Sequence, residues 1–243
     1  MSNFWKHVNS VIQESDVVIE VLDARMIDET RNFEIENKII QFNKKILYVL
    51  NKCDLVDIDQ LKLDKKELSP CVFISCRDKL GTTILKKKIL ELSRGEPVVV
   101  GVVGYPNVGK CSVINALAGR KATLTSSSSG FTKGLQKVKV DNKIMLLDTP
   151  GVFPLREKDA LKHAKTSAVS YEKVKDAETV VLRLIEENSG LIKAHYNVGG
   201  EDAEEILTNI SRKFGKLESG GKPNFDSTAR MILKDWQIGK IKM

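Results

Sequence analysis

The sequence predicts an α/β fold, a mostly parallel sheet with helices on both faces, followed by a small C-terminal helical domain. Three observations predict it. Continuous apolar runs at residues 17–22, 45–50, 71–74 and 97–103 alternate with helix-like segments, and a strand buried between two helical layers must be apolar on both faces. The last of these runs enters a glycine-bearing loop at 104–110, which opens directly into a helix-like stretch. After Pro154 strand-like runs nearly vanish and only helical periodicity remains.

Each element has its own signal. Residues 3–15 place Phe4, Val8, Val11 and Ile12 on one helical face. The run 17–22 is broken only by Glu20 and ends at Asp23-Ala24-Arg25. A helix over 31–42 precedes the strand KILYVL at 45–50, which ends at Asn51. The strand 71–74 is followed by a helix over 80–92, and the strand 97–103 by a helix over 110–118. Residues 138–140 and 144–147 read as a hairpin turning at Asp141-Asn142. Asp202 with Glu205 is a capping-box pattern opening a helix through Ile206, Leu207, Ile210, Phe214 and Leu217. Asp226 likewise precedes Ala229, Ile232, Leu233 and Trp236, with Gly239 as a stop. These signals divide the chain into domains 1–159 and 160–243. There is no internal repeat, and the serine run 126–129 is the low-complexity stretch.

Composition narrows the class. With 42% hydrophobic and 29% charged residues the chain is globular rather than disordered. A net charge of +7 leans toward a polyanionic partner. The four cysteines form no CxxC pair and have no histidine at metal-ligand spacing, which argues against a zinc site and for reduced thiols. The N-terminus lacks the apolar core of a signal peptide. The longest apolar run, near 97–103, is too short to cross a bilayer. The expectation is a cytoplasmic protein without a membrane partner.

Four short motifs carry chemistry. Gly104-Tyr105-Pro106-Asn107-Val108-Gly109-Lys110 matches GxxxxGK between a strand and a helix. In such a loop Asn107, Val108 and Gly109 turn backbone N–H groups toward a polyphosphate, the helix N-terminus adds partial positive charge, and Lys110 adds a full one. The next residue should be Ser or Thr for Mg²⁺, but here it is Cys111, with Ser112 one position further round the helix. A thiol suits a hard cation poorly, so weakened Mg²⁺ binding and turnover are expected. Asn51-Lys52-Cys53-Asp54 matches NKxD. There Asp54 can accept from guanine N1–H and its exocyclic amine, donors that adenine lacks, while Asn51 donates to the base oxygen and the Lys52 stem lies over the ring. Ser75-Cys76-Arg77 follows the next strand as a weaker base-contacting triplet. Asp148-Thr149-Pro150-Gly151 is DxxG: Asp148 can hold a Mg²⁺-bound water, and the Gly151 N–H can sense the γ-phosphate. Thr132, in the loop between, is the candidate switch threonine that would close on Mg²⁺ and the γ-phosphate.

The order is NKCD, SCR, GYPNVGK, Thr132, DTPG, whereas ordinary G domains begin with the phosphate loop. With this order, the DAR segment at 23–25, Thr30-Arg31, GYPNVGKCSVINAL, the Gly130-to-Thr132 step and DTPGV, the sequence resembles the circularly permuted GTPases of the YlqF/YawG group. The tail resembles them more loosely, through Lys213 to Gly215, Gly220-Gly221 with Pro223, and a last helix before Gly239-Lys240. Besides Cys111, the chain departs from the group at Met26-Ile27, where a proline usually follows DAR, and at Ser129, where a proline usually precedes the switch glycine. The resemblance implies a P-loop GTPase fold, circularly permuted, with GTP/GDP and Mg²⁺ as ligands. It also implies a role in large ribosomal subunit assembly, with the large subunit or its precursor and ribosomal RNA as partners and no DNA. Val152 stands where many G proteins place a water-orienting Gln, which implies slow intrinsic hydrolysis stimulated by the ribosome. Asn107 is then a candidate for holding K⁺. The competing reading is a GTP-dependent RNA-binding or scaffold protein with little or no hydrolysis. An ATPase is disfavoured by Asp54.

Overall fold

The computed structural model describes residues 3–64, 67–123, 136–154, 157 and 159–242. They form two compact units, Met1–Lys158 and Asp159–Met243. The first unit holds strands β1 (Val17–Asp23), β2 (Lys45–Asn51), β3 (Cys71–Phe73), β4 (Val98–Gly104), β5 (Gln136–Lys139) and β6 (Ile144–Asp148). They make one sheet in the order β3-β2-β1-β4-β6-β5. All neighbours are parallel except β5, which pairs antiparallel with β6 as a hairpin. The parallel strands therefore bring the ends of β1, β2, β3, β4 and β6, with the loops that follow them, to one carboxyl edge, the place where open α/β sheets build sites.

The helices of this unit are α1 (Asn3–Glu14), α2 (Ile27–Thr30), α3 (Phe33–Gln41), α4 (Ile58–Asp64), α5 (Thr82–Leu92) and α6 (Lys110–Ala118). α1 and α3 cover one face. Trp5, Val8, Val11 and Ile12 of α1 and Ile35 and Ile39 of α3 bury against Val18, Val103 and Leu147. Residues alternate across a strand, so the other face of β4 receives α6, with Val113, Ile114 and Leu117 buried. Each such side chain contributes roughly 1.5–3 kcal/mol on burial. The polar interruption of β1, Glu20, is fully buried. Burial, then the neighbouring Glu36 carboxylate, push its pKa well above the usual range. Its Oε1 accepts the backbone N–H of Asn32 at 2.9 Å. Asn32 in turn caps α3, accepting from Glu34 and Ile35. The interruption thus ties strand to helix.

The second unit is helical: α7 (Ala160–Lys165), α8 (Ala177–Tyr196), α9 (Ala203–Lys213) and α10 (Phe225–Gln237). α8 packs on both α9 and α10, burying Leu184, Ile185, Ile192, Ile206, Ile210, Ile232 and Trp236. α8 breaks at Asn188 (φ −135°, ψ 35°), whose amide donates to the Leu184 carbonyl at 3.1 Å. Asp202 caps α9 by accepting the Glu205 N–H, as its spacing predicts. α10 corrects the sequence reading. Asn224, not Asp226, is its cap, accepting the Ser227 N–H. Asp226 sits within the first turn and pairs with Arg230 at 2.8 Å. No helix among the described residues is long and apolar enough to cross a membrane.

One glycine sets how closely α1 approaches the sheet. A Cβ on Gly101 of β4 would lie 2.5 Å from Ser15 Oγ and 2.7 Å from Val11 Cγ1. Gly101→Ala should destabilise the protein by about 1–3 kcal/mol through overpacking. Urea unfolding in a double-mutant cycle with Val11→Ala checks the cause, because the loss from Gly101→Ala should be smaller once Val11 is shortened.

Candidate functional site

The phosphate loop is shaped by glycines that tolerate no side chain. Gly104 ends β4 at φ +143°, and a Cβ there would meet the Val21 carbonyl oxygen at 2.5 Å. Gly109 precedes α6 at φ +104°, and its Cβ would stand 2.2 Å from Asn51 Nδ2. Asn107 takes the left-handed conformation between them at φ 61°. Gly151 comes from the DTPG loop, and a Cβ on it would lie 2.7 Å from Pro106 Cα and 2.9 Å from Lys110 Nζ. The Val152 N–H donates to the Gly104 carbonyl at 3.4 Å, and Thr149 Oγ1 donates to the Val102 carbonyl at 2.8 Å. The DTPG backbone is thus clasped against the phosphate loop.

Two charged side chains, Lys110 and Asp148, are buried at this end. Lys110 is buried and donates to the carbonyls of Gly104 (3.2 Å) and Tyr105 (2.8 Å). Burial lowers its pKa to about 8, against the opposing field of Asp148. Burial raises Asp148 to about 6, with Lys110 opposing. Its Oδ1 is buried without a hydrogen-bond partner among the described residues. Its Oδ2 accepts from the Cys111 thiol at 3.8 Å. The glycine cradle and Lys110 fit a polyphosphate. The open carboxylate oxygen fits a hard cation; the thiol beside it does not. Ser112 lies one position further round α6 and is half-buried.

The base-reading segments assemble beside this cradle. The Asn51 amide donates to the Val108 carbonyl at 2.9 Å and accepts the Cys76 N–H at 3.4 Å. Asn51 therefore ties the phosphate loop to the SCR loop, a positioning role that sequence reading did not give it. Ser75 is buried, and its Oγ accepts the Asp78 N–H at 3.1 Å. Lys52 adopts φ 64° and reaches Asp23 Oδ2 at 2.7 Å. Asp54 pairs with Arg77 NH2 at 2.6 Å.

Asp23 is the residue that the motifs alone did not assign. It is buried at the end of β1 and held by Arg25 through Nε at 3.1 Å and NH2 at 2.9 Å. Burial pushes its carboxyl up, but Lys52 and then Arg25 overcome this and hold it well below the usual carboxylate range. Its signal was present in the sequence: an Asp closing the first strand as Asn51 closes the second.

Val152, which stands where many G proteins place Gln, is buried in the core with Trp5, Val8 and Ile12. Thr132 lies outside the described residues.

Comparison with known proteins agrees with the geometry. The family described as 50S ribosome-binding GTPase matches residues 99–214. An uncharacterized GTP-binding protein of Methanocaldococcus jannaschii is 42% identical over 97% of this chain and 65% of its own length. GTPase grn1 of Schizosaccharomyces pombe is 31% identical over 98% and 60%. Nuclear GTP-binding protein NUG1 of Saccharomyces cerevisiae is 33% identical over 97% and 54%. The chain thus spans between about half and two thirds of these relatives' length. Among solved structures, GNP-bound YlqF from T. maritima shares the fold with a TM-score of 0.66 at 22% identity, covering 98% of this chain and 94% of that one. The GDP-bound form gives 0.68 at 21%, covering 97% and 95%.

The raised Asp148 pKa has a sign that can be checked. The native carboxyl keeps its proton up to about pH 6, whereas the unfolded one (3.8) releases it earlier. Stability therefore falls as pH rises between these values. Without nucleotide or metal, Asp148→Asn should be more stable than the parent at pH 7.5 by about 1–2 kcal/mol. The gain should vanish below about pH 4, as read by urea unfolding across pH.

Proposed function

We propose that the chain is a circularly permuted GTPase of the YlqF/YawG group, and that it binds and hydrolyses GTP while acting on the large ribosomal subunit or its precursor. One observation carries the guanine-nucleotide reading. Segments far apart in the chain, 51–54, 75–77, 104–110 and 148–151, meet at one sheet edge. There Asp54 is the guanine-reading carboxylate, Lys110 and the loop N–H groups take the phosphates, and the Gly151 N–H senses the γ-phosphate. When bound, Mg²⁺ would supply positive charge to the outer phosphates, with Asp148 holding its water and Thr132 closing on it. K⁺, near Asn107, is a further candidate source of charge.

Hydrolysis should be slow by itself. Val152 is buried under α1, and its N–H is engaged by Gly104. No side chain at that position can orient water, so the ribosome and K⁺ are the proposed stimulants. The helical unit 160–243 is the proposed RNA-targeting module, and residues 1–159 are the proposed GTPase unit. The site of action is proposed to be cytoplasmic. A second reading, a GTP-dependent RNA-binding scaffold with little turnover, is favoured by the Cys111 thiol lying against Asp148.

Three measurements test this. The protein should cosediment with large ribosomal subunits in a non-hydrolysable GTP analogue more than in GDP, and subunits with KCl should accelerate hydrolysis. Binding to subunits without acceleration in KCl or NaCl would favour the scaffold. Cys111→Ser should lower the Mg²⁺ needed for half-maximal hydrolysis by about tenfold, on the scale seen when a metal site's shell is altered. An unchanged Mg²⁺ titration would remove Cys111 as the cause of slow turnover.

A further inference from the structure

The guanine-reading carboxylate is already covered in this structure by a side chain that imitates guanine. Arg77 places NH2 2.6 Å from Asp54 Oδ2, leaving the Asp54 side chain 8% exposed while that of Arg77 is 52% exposed. A guanidinium presents N–H donors to a carboxylate in a plane. The edge of guanine that a carboxylate reads, N1–H with the exocyclic amine on the intervening carbon, is itself a guanidine unit. The two offer the same donor pattern to the same acceptor.

The surroundings let the side chain leave while its backbone stays. Before it, the Cys76 N–H is bound to Asn51; after it, the Asp78 N–H is bound to Ser75 Oγ. The guanidinium has a second acceptor in reach, since Arg77 Nε lies 3.4 Å from Asp78 Oδ1, on a side chain 44% exposed. The other base-end pair behaves differently. Lys52 is held by Asp23, whose side chain is 1% exposed and is also forked by Arg25, so that pair is part of the scaffold. Among the described residues at the base end, only the Arg77–Asp54 pair joins a buried reader to a partner that water can take back.

We propose that Arg77 caps Asp54 in the nucleotide-free protein and that guanine must displace it, so that this side chain is a built-in competitor setting the affinity for guanine nucleotides. The inference rests on Asp54 being the guanine reader. A half-exposed ion pair is weak and salt-sensitive. The competitor therefore tunes affinity modestly and does not block the site.

The test uses the full chain with Arg77→Met, which keeps the stem and removes the donors. A fluorescent GDP analogue measures base-dependent binding, and inorganic tripolyphosphate, which has no base, measures the phosphate end. Arg77→Met should bind the GDP analogue about two- to fivefold more tightly in low salt, the range an exposed pair supports. The gain should fade toward parity in about 1 M KCl, where charge is screened. Tripolyphosphate affinity should not change. Unchanged GDP affinity would overturn the proposal, and so would weaker affinity, which would make Arg77 a nucleotide contact. Asp54→Asn separates the two levels. If it loses GDP binding, the guanine reading holds and the Arg77 result decides the cap alone. If it binds GDP as the parent does, the guanine reading fails and the cap with it.

Discussion

The Asn51 amide joins three segments that are remote in the chain. It closes β2, donates to Val108 in the phosphate loop and accepts from Cys76 after β3. Gly109 has to be glycine because this amide sits where its Cβ would be. The base-reading loops and the phosphate cradle are thus held in register by one side chain whose donor and acceptor are both used. A buried amide is stable only when its polar atoms are paired. Losing either partner would cost the hydrogen bond and leave a desolvated group behind.

Around this anchor the two ends of the site are charged in opposite ways. At the base end each acid has a cation: Asp23 with Arg25 and Lys52, Asp54 with Arg77. At the phosphate end Lys110 leans on backbone carbonyls, and Asp148 keeps one buried oxygen without a partner among the described residues. Burial shifts both groups toward their neutral forms. An anionic ligand with its cation would restore what burial takes away. The protein's own residues are therefore under greater electrostatic stress where the chemistry is expected than where the base would be read.

The hydrophobic core reaches directly into this region. Gly151 touches the phosphate loop, and the next residue, Val152, is already in the cluster under α1. The DTPG segment therefore has one residue against the site and its neighbour locked in packing. Tyr105 adds a link on the other side, edge-on to Phe153 and hydrogen-bonded through its hydroxyl to Glu157. Movement of the segment after DTPG would be felt by the phosphate loop through these contacts.

The sequence by itself determined most of the fold. Runs apolar on both faces can only be interior strands, and the glycine loop between strand and helix has one common use. The motifs, their permuted order, the α9 cap at Asp202 and the β5–β6 hairpin were all legible because each depends on residues close in sequence. What the tertiary structure decided depends on residues far apart. Arg77 covering Asp54, Asp23 taking Lys52 and Asn51 bridging two loops are pairings that arise only when strand ends converge at one edge. The α10 cap fell to Asn224 because helix ends are set by which side chain reaches the open N–H groups, and Asp226 lay too far inside. Val152 was legible as an apolar residue beside the phosphates. That it is buried beneath α1, with its side chain part of the core, followed only from packing a helix from the start of the chain over a loop more than a hundred residues away.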